Sequence, residues 1–256
     1  MDPASALVRA PLIEMFWSVQ GEGRFVGETM GFLRVATCPL RCSYCDTPHS
    51  YAASPTFAVQ SANGIEHERN PVNAERAAQL AQSLRPKSHR AVPRLSITGG
   101  EPLVFPAFVR AVGQRLRADG WRMHLETAAI DAAAFAQCVT EVDHLSADYK
   151  LPETIGGADH GEAHVACCAL ALDRGASVDV KIVLTPRCSD ASFDLALQRL
   201  ARVRDDVVLV LQPVTPCLQE TERLPQPRLT ELLARAEAEG FCVRVLPQVH
   251  KALQVP

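Results

Sequence analysis

The sequence predicts an α/β protein with a mainly parallel sheet. Three observations carry that expectation. Short apolar segments rich in β-branched residues alternate with amphipathic segments of helical period. The short segments are apolar almost throughout, as strands covered on both faces are. Proline, glycine and capping residues fall at the boundaries between the two kinds. Such alternation calls for right-handed strand–helix–strand crossovers.

Strands are expected at 12–19, 31–37, 94–98, 122–127, 144–147, 178–185, 207–212 and 241–245. The helix expected at 106–119 places Phe108, Val112 and Leu116 on one face with Val109 beside them, and Gly120 stops it. Ser189-Asp190 is an N-cap for a helix carrying Phe193, Leu197 and Leu200. Pro227 starts another, with Leu229, Leu232, Leu233 and Ala236 inward and Gly240 after it. One stretch breaks the rhythm. Residues 52–72 hold Ser, Pro, Asn and Gly with little periodicity and read as a loop. Residues 73–84 read as a helix, and 85–93 as a second loop. Neither loop is a domain boundary. Residues 1–256 are expected to form one domain with a loop and helix insertion at about 52–93.

A chain of 256 residues is long enough for one large α/β core. A formal net charge of -3 offers no footprint for nucleic acid and no basic membrane patch. No apolar run is long enough to span a bilayer. The start, Met1-Asp2-Pro3-Ala4-Ser5, lacks the basic opening of a signal peptide, so a cytoplasmic protein is expected. An odd total of nine cysteines then argues against a disulfide framework. Six of them (Cys138, Cys167, Cys168, Cys188, Cys217 and Cys242) are scattered through apolar segments, and most are expected to be buried.

The other three are clustered. Cys38, Cys42 and Cys45 can wrap one inorganic centre in a single loop. A closed structural zinc takes four ligands, and so does a fully ligated four-iron cluster. Three thiols therefore suggest a [4Fe-4S] cluster with one iron left open for a small molecule. A zinc loop completed by a fourth ligand elsewhere, with His49 nearest, stays open from spacing alone. Tyr44, just before the last cysteine, could flank a purine. The loop follows the strand at 31–37, where α/β folds place their sites. A second segment, Thr98-Gly99-Gly100-Glu101-Pro102, also follows a strand. Its glycines let backbone approach a ligand closely. Alone it is a weak turn signal.

Together, the C-x3-C-x2-C loop and the Gly-Gly-Glu segment resemble the radical S-adenosylmethionine (radical SAM) superfamily. Three further features resemble the 7-carboxy-7-deazaguanine synthase family within it. They are the run Glu14-Met15-Phe16-Trp17-Ser18-Val19-Gln20-Gly21-Glu22-Gly23, Arg34 four residues before Cys38, and Cys45-Asp46-Thr47 closing the loop. The resemblance runs from Glu14 to Pro256. It implies an incomplete (β/α) barrel holding a [4Fe-4S] cluster, S-adenosyl-L-methionine and Mg2+. The implied substrate is 6-carboxy-5,6,7,8-tetrahydropterin, the electron donor a flavodoxin or ferredoxin, and the assembly a homodimer. The implied reaction begins with hydrogen abstraction at C6, contracts the ring and releases ammonia, as a carbon–nitrogen lyase of queuosine and deazapurine biosynthesis.

The same resemblance assigns roles. Val19, Gln20 and Gly21 match a pterin-contacting turn, and Glu22 is a further pterin contact. Arg34 matches the partner of the substrate carboxylate, which a guanidinium fork suits. Thr47 matches the Mg2+ ligand, a hard oxygen; Asp46 is not counted as one. Thr98 matches a substrate contact. Tyr44, Gly100 and Glu101 fall to the cofactor. Glu126-Thr127-Ala128-Ala129 stands where the family usually reads Glu-Thr-Asn-Gly, so side-chain contacts of the Asn are missing. Ser146 and Lys150 stand where many members read Ser-Pro-Lys, two residues longer here. Gln212, Pro213, Val214 and Thr215 match a segment holding the adenosyl end. Lys181 reads equally as a barrel lining or an edge residue. In the tail, His250 matches a residue that reaches substrate, and Pro256 one that closes over the site. Two other readings remain: a different radical SAM enzyme, such as a glycyl-radical activase, and a non-enzymatic zinc-binding module.

Overall fold

The structure is a computed structural model that describes residues 8–217 and 219–256. The segment Met1-Asp2-Pro3-Ala4-Ser5 lies outside the described residues. In chain order the elements are β1 (Arg9–Ala10), β2 (Leu12–Val19), β3 (Thr29–Val35), β4 (Thr56–Ser61), β5 (Gly64–Arg69), β6 (Val72–Asn73), α1 (Ala74–Leu84), β7 (Arg94–Gly99), α2 (Pro106–Ala118), β8 (Arg122–Thr127), α3 (Ala132–Ala136), β9 (His144–Tyr149), α4 (Gly161–Asp173), β10 (Ser177–Leu184), α5 (Asp190–Leu200), β11 (Val207–Pro213), α6 (Gln226–Ala238), β12 (Cys242–Val245) and α7 (Val249–Leu253). Ten strands form one sheet in the order β12-β11-β10-β9-β8-β7-β3-β2-β4-β5. From β12 to β3 every pairing is parallel. β2 then runs antiparallel to β3, and β4 and β5 form an antiparallel hairpin beyond it. The order is linear and its two ends do not pair, which is an incomplete barrel. Among the described residues no helix is long and apolar enough to cross a membrane.

The strands carry two interleaved sets of side chains, as a pleat requires. One set faces the helices: Leu33 and Val35, Leu95 and Ile97, Leu125, Leu145 and Ala147, Val178 and Val180, Leu209 and Leu211. All are buried in one continuous core with Phe108, Val112 and Leu116 of α2, Phe193 and Leu197 of α5, and Leu232 and Ala236 of α6. The alternate set faces the barrel interior and is largely polar: Ser96, Thr98, His124, Glu126, His144, Ser146, Asp148, Asp179 and Lys181. Inside, the His124 and His144 rings stack at 5.0 Å, and Phe25 meets both edge-on. His144 bonds Ser177 through Nδ1 at 2.7 Å and Asp179 through Nε2 at 2.5 Å. His124 Nδ1 lies 2.9 Å from the Ser96 hydroxyl. These bonds offset the cost of burying polar groups.

The expected strands and helices are present, with Asn73 and Ser189 as N-caps accepting from the third residue on. One expectation needs correction, and one helix was not foreseen. Residues 52–72 are not a loop: β4 and β5 form a hairpin around Ala62-Asn63. In β4 only Phe57 and Val59 point inward, and β5 is exposed along nearly its whole length, so no apolar period marked it. The sequence reading also passed over α4. Its run Val165–Ala171 is apolar on every face, since α4 packs between β9 and β10 on one side and α3 and α5 on the other. A helix apolar all round has no amphipathic signature. Cys138, Cys167, Cys168 and Cys188 are buried as expected, Cys217 is half-buried and Cys242 exposed.

Burial pushes the His124 and His164 rings down to about 4 from the ordinary 6.5. Between those values the unfolded chain takes up protons that the folded chain refuses. The stability gained by keeping both rings neutral is complete above pH 6.5 and drains as pH falls towards 4. Urea unfolding should therefore show about 2–3 kcal/mol less stability near pH 5.5 than near pH 7.5, before ordinary carboxylates titrate. An unfolding midpoint that holds steady across that interval would contradict this account.

Candidate active site

The site begins where β3 ends. After Val35 the chain turns through Thr37, whose φ of 78° is left-handed and rare for a β-branched residue. Two neighbours hold it there. The Thr37 N–H donates to Ser50 O at 2.6 Å, and Thr37 O accepts from Glu101 N at 2.9 Å. Gly100 N donates to Val35 O at 2.8 Å. A Cβ on Gly99 or Gly100 would run into the backbone of Val35 or Thr37. Only glycine permits so close an approach, so the Gly-Gly-Glu turn clamps the root of the cysteine loop.

Within the loop, Cys45 N donates to Cys42 O at 3.1 Å. The Arg41 guanidinium donates to the carbonyls of Cys38 and Leu40, both at 2.7 Å, and lies over the Tyr51 ring. Ser43 is tied to Thr154 O through its N–H and to Glu220 through its hydroxyl. Cys38, Cys42 and Cys45 all line one cavity at the carboxyl ends of the strands. Burial pushes the Cys38 thiol up to about 11 and raises Cys42 as well. A metal centre would take such thiols as thiolates, with their protons released to solvent.

The donor set fits a cluster better than a single ion. Among the described residues, no three His, Cys, Asp or Glu side chains converge to hold one metal ion. Zinc needs four ligands within about 2.3 Å. His49, the nearest candidate for the fourth, is exposed on the 3-10 turn Pro48–Tyr51 and does not line the cavity. Three thiols around a wider hollow suit a cube with one cysteine per iron and one iron free. The cavity also presents buried polar atoms without protein partners: the Tyr44 hydroxyl, Asp148 Oδ1 and Gln212 Oε1. Such atoms mark a pocket shaped for a polar ligand.

The residues nominated from sequence converge. Val19, Gln20, Gly21, Glu22, Arg34, Tyr44, Thr47, Thr98, Gly100, Glu101, Ser146, Lys150, Gln212, Val214, Thr215, His250 and Pro256 line the cavity with the three cysteines. Pro213 does not; it is the last residue of β11 and its neighbours on either side face the site. Lys181 lines the barrel, which settles its two readings. Its ammonium pairs with Glu22 and, at 3.2 Å, with Asp148, while Lys150 holds the same Asp148 oxygen at 2.7 Å. The Lys150 ammonium also sits 5.1 Å from the Tyr44 ring centre. Burial opposes both lysine charges, yet the neighbouring carboxylate of Asp148 keeps both pKa values above the ordinary range.

Sequence reasoning keeps Glu126 as a match to the family segment without a role and gives none to Asp148; both line the cavity. Glu126 accepts from Gln20 Nε2 at 2.5 Å, Thr98 Oγ1 at 2.9 Å and Ser96 Oγ at 3.2 Å. Burial works against its charge. His124, Lys181 and the bonds from Gln20 and Thr98 outweigh burial and hold its pKa below the ordinary value. The signal was in the pleat: Glu126 and Asp148 share the inward phase with Thr98 and Ser146.

Glu101, which lines the cavity, also ties the turns around it. Its carboxylate accepts from Leu103 N, Thr127 Oγ1 and Ala128 N, all buried. Burial raises its pKa despite those bonds. Arg34 donates through Nε to Glu14 at 2.8 Å, and Gln60 of β4 holds the other Glu14 oxygen at 2.8 Å. The tail docks on the turn after β2. Val249 N donates to Gly21 O at 3.0 Å, Gln248 donates to Glu22 at 2.8 Å, and Lys251 pairs with Asp46 at 3.1 Å.

Comparison with known proteins agrees with this geometry. Residues 34–186 match the Radical SAM superfamily. The chain is 34% identical to the 7-carboxy-7-deazaguanine synthase of Geobacter sulfurreducens, over 94% of this chain and 96% of that one. It is 35% identical to that of Methanopyrus kandleri, over 93% and 91%. Among solved structures, QueE from Escherichia coli superposes with a TM-score of 0.65 at 20% identity, covering 94% of this chain and 95% of that one. A radical SAM methyltransferase from Sphaerobacter thermophilus gives 0.59 at 16% identity, over 86% and 70%. The shared sequence spans nearly the whole chain, the cysteine loop and the Gly-Gly-Glu turn included, and on that ground the chain belongs to the 7-carboxy-7-deazaguanine synthase family of the radical SAM superfamily.

Proposed function

We propose that this protein converts 6-carboxy-5,6,7,8-tetrahydropterin to 7-carboxy-7-deazaguanine and ammonia, as a carbon–nitrogen lyase of deazapurine and queuosine biosynthesis. Product and ammonia together account for every atom of the substrate, so the conversion has no net redox demand. The observation that carries the reading is the convergence of three thiols and Arg34 on one cavity. When bound, a [4Fe-4S] cluster and S-adenosyl-L-methionine supply a radical able to take hydrogen from carbon. Cys38, Cys42 and Cys45 would hold the cluster. Gly100, Tyr44, Ser146, Lys150 and the segment Gln212–Thr215 would hold the cofactor.

The protein's own part is to bind, orient and exclude water. Arg34 spends its Nε on Glu14, which leaves its terminal nitrogens to grip the substrate carboxylate. Glu126 stays ionised and can accept from the N–H donors of the pterin ring. Gln20 is held between Glu126 and the Glu22 N–H, so its remaining amide hydrogen is aimed rather than free. Val19, Gly21, Glu22 and Thr98 complete that wall. Burial lowers the His250 pKa in spite of the nearby Glu22. His250 then serves the carboxylate as a neutral hydrogen-bond donor, not as a cation. Thr47 would offer its hydroxyl to Mg2+, with the rest of the shell from water and substrate oxygens. The tail through Pro256 would close the mouth. A flavodoxin or ferredoxin as donor, a homodimer and a cytoplasmic setting complete the proposal.

Anaerobic turnover of 6-carboxytetrahydropterin by iron- and sulfide-reconstituted protein tests the reading, with products read by mass. The expected outcome is deazaguanine carboxylate, with ammonia. Cys42→Ala should bind no cluster and give no product; full activity in that variant would remove the cluster assignment.

Glu14→Gln should loosen the arginine and raise the KM for the pterin roughly tenfold with a smaller change in kcat. Steady-state kinetics that show an unchanged KM would free Glu14 of that task. At Gly21 an added Cβ would meet the His250 side chain and backbone. Gly21→Ala should therefore cut kcat/KM by at least about tenfold while iron content stays at the wild-type level. Wild-type kinetics in Gly21→Ala would show that the docked tail is dispensable.

A further inference from the structure

The turn after β8 is held in an unusual way. Ala129 has a φ of 54°, left-handed although it carries a Cβ. It is fully buried. All four backbone polar groups of Ala128 and Ala129 are taken by side chains. Ala128 N donates to Glu101 Oε2 and Ala129 N to Thr127 Oγ1, both at 2.9 Å. Ala128 O lies 3.1 Å from His164 Nδ1, and Ala129 O lies 3.5 Å from Cys167 Sγ. His164 and Cys167 stand three residues apart on α4, one face of the helix. Neither lines the cavity.

The tautomer follows from the partners. A carbonyl oxygen can only accept, so Nδ1 of the neutral ring must carry the hydrogen. Nε2 is then a bare acceptor, and it is buried without a partner. The ring is fixed edge-on to Tyr149 at 4.9 Å. Helix α4 thus holds the two successive carbonyls of this turn. What that turn supports is the cysteine loop. The Ala128 methyl packs with Leu40 and Ile155, and Cys38 and Cys42 pack against the same group.

We propose that His164 and Cys167 are positioning residues that brace the Ala128–Ala129 turn and, through Ala128, fix the cysteine loop for cluster binding. The link to the cluster rests on the function proposed above; the brace itself does not. Without the brace the left-handed alanine relaxes and the wall behind Cys38 and Cys42 gives way.

The test uses His164→Leu, which keeps bulk and removes the donor, and His164→Gln, which restores one. In metal-free protein, hydrogen–deuterium exchange over 37–45 and 127–130 should run roughly tenfold faster in His164→Leu, with α1 unchanged. In reconstituted protein, iron loss to a chelator should accelerate by a similar factor, and the electron paramagnetic resonance signal of the reduced centre should broaden. His164→Gln should recover most of both. Adding Ala129→Gly to His164→Leu should also recover them, because glycine adopts the left-handed conformation without strain. Wild-type exchange at 37–45 in His164→Leu overturns the proposal. So does acceleration spread evenly over the whole chain, which marks His164 as an ordinary core residue. A wild-type protein that takes up no iron would defeat the cluster reading, while exchange in the metal-free protein would still decide the brace.

Discussion

The site depends on one close approach of backbone to backbone. Gly100 N reaches Val35 O, Glu101 N reaches Thr37 O, and no side chain fits between them. That contact joins the ends of two neighbouring parallel strands, β3 and β7, at the point where each leaves the sheet. It forces Thr37 into its left-handed turn, and the turn throws the cysteine loop over the barrel mouth. Because the loop's origin is fixed this way, three thiols from one short segment can face one hollow without a fourth ligand to gather them.

A second constraint is the polar barrel interior. Buried ionic groups stabilise little by themselves, since desolvation offsets their attraction. Here they are arranged in two tiers. The lower tier, His124, His144, Ser177 and Asp179, is hydrogen-bonded within the protein and fills space. The upper tier, Glu126, Asp148, Lys150 and Lys181, is paired but leaves one buried acceptor, Asp148 Oδ1, without a protein partner beside the cavity. Fixed charges of this kind need not reorganise when a polar ligand enters.

Much of this was legible in the sequence because the residues that do chemistry sit where the chain changes direction. Cys38 to Cys45 and Gly99-Gly100 are conspicuous at strand ends, since spacing and glycine pairs stand out against apolar strands. Glu126 and Asp148 were harder. Each is one polar residue within a strand, and only the phase of the pleat distinguishes an inward carboxylate from an outward one. The β4–β5 hairpin was hidden because an exposed edge strand needs no apolar period. Helix α4 was hidden for a different reason, being apolar on every face. The role of Gln60 follows from the first of these, since a segment taken as loop gives no cause to look for a residue that steadies Arg34.

The alternation along the strands has a consequence for how this protein can change. Odd and even positions of β7 to β10 answer to different demands: one parity to the helices and the core, the other to the ligand. Substitutions on the inward parity can alter what the cavity accepts while leaving the packing intact, and outward substitutions do the reverse. An insertion or deletion of one residue inside such a strand exchanges the two sets, so it forfeits stability and recognition in a single step. Variation in this barrel is therefore confined to replacement within strands and to changes of length beyond their ends.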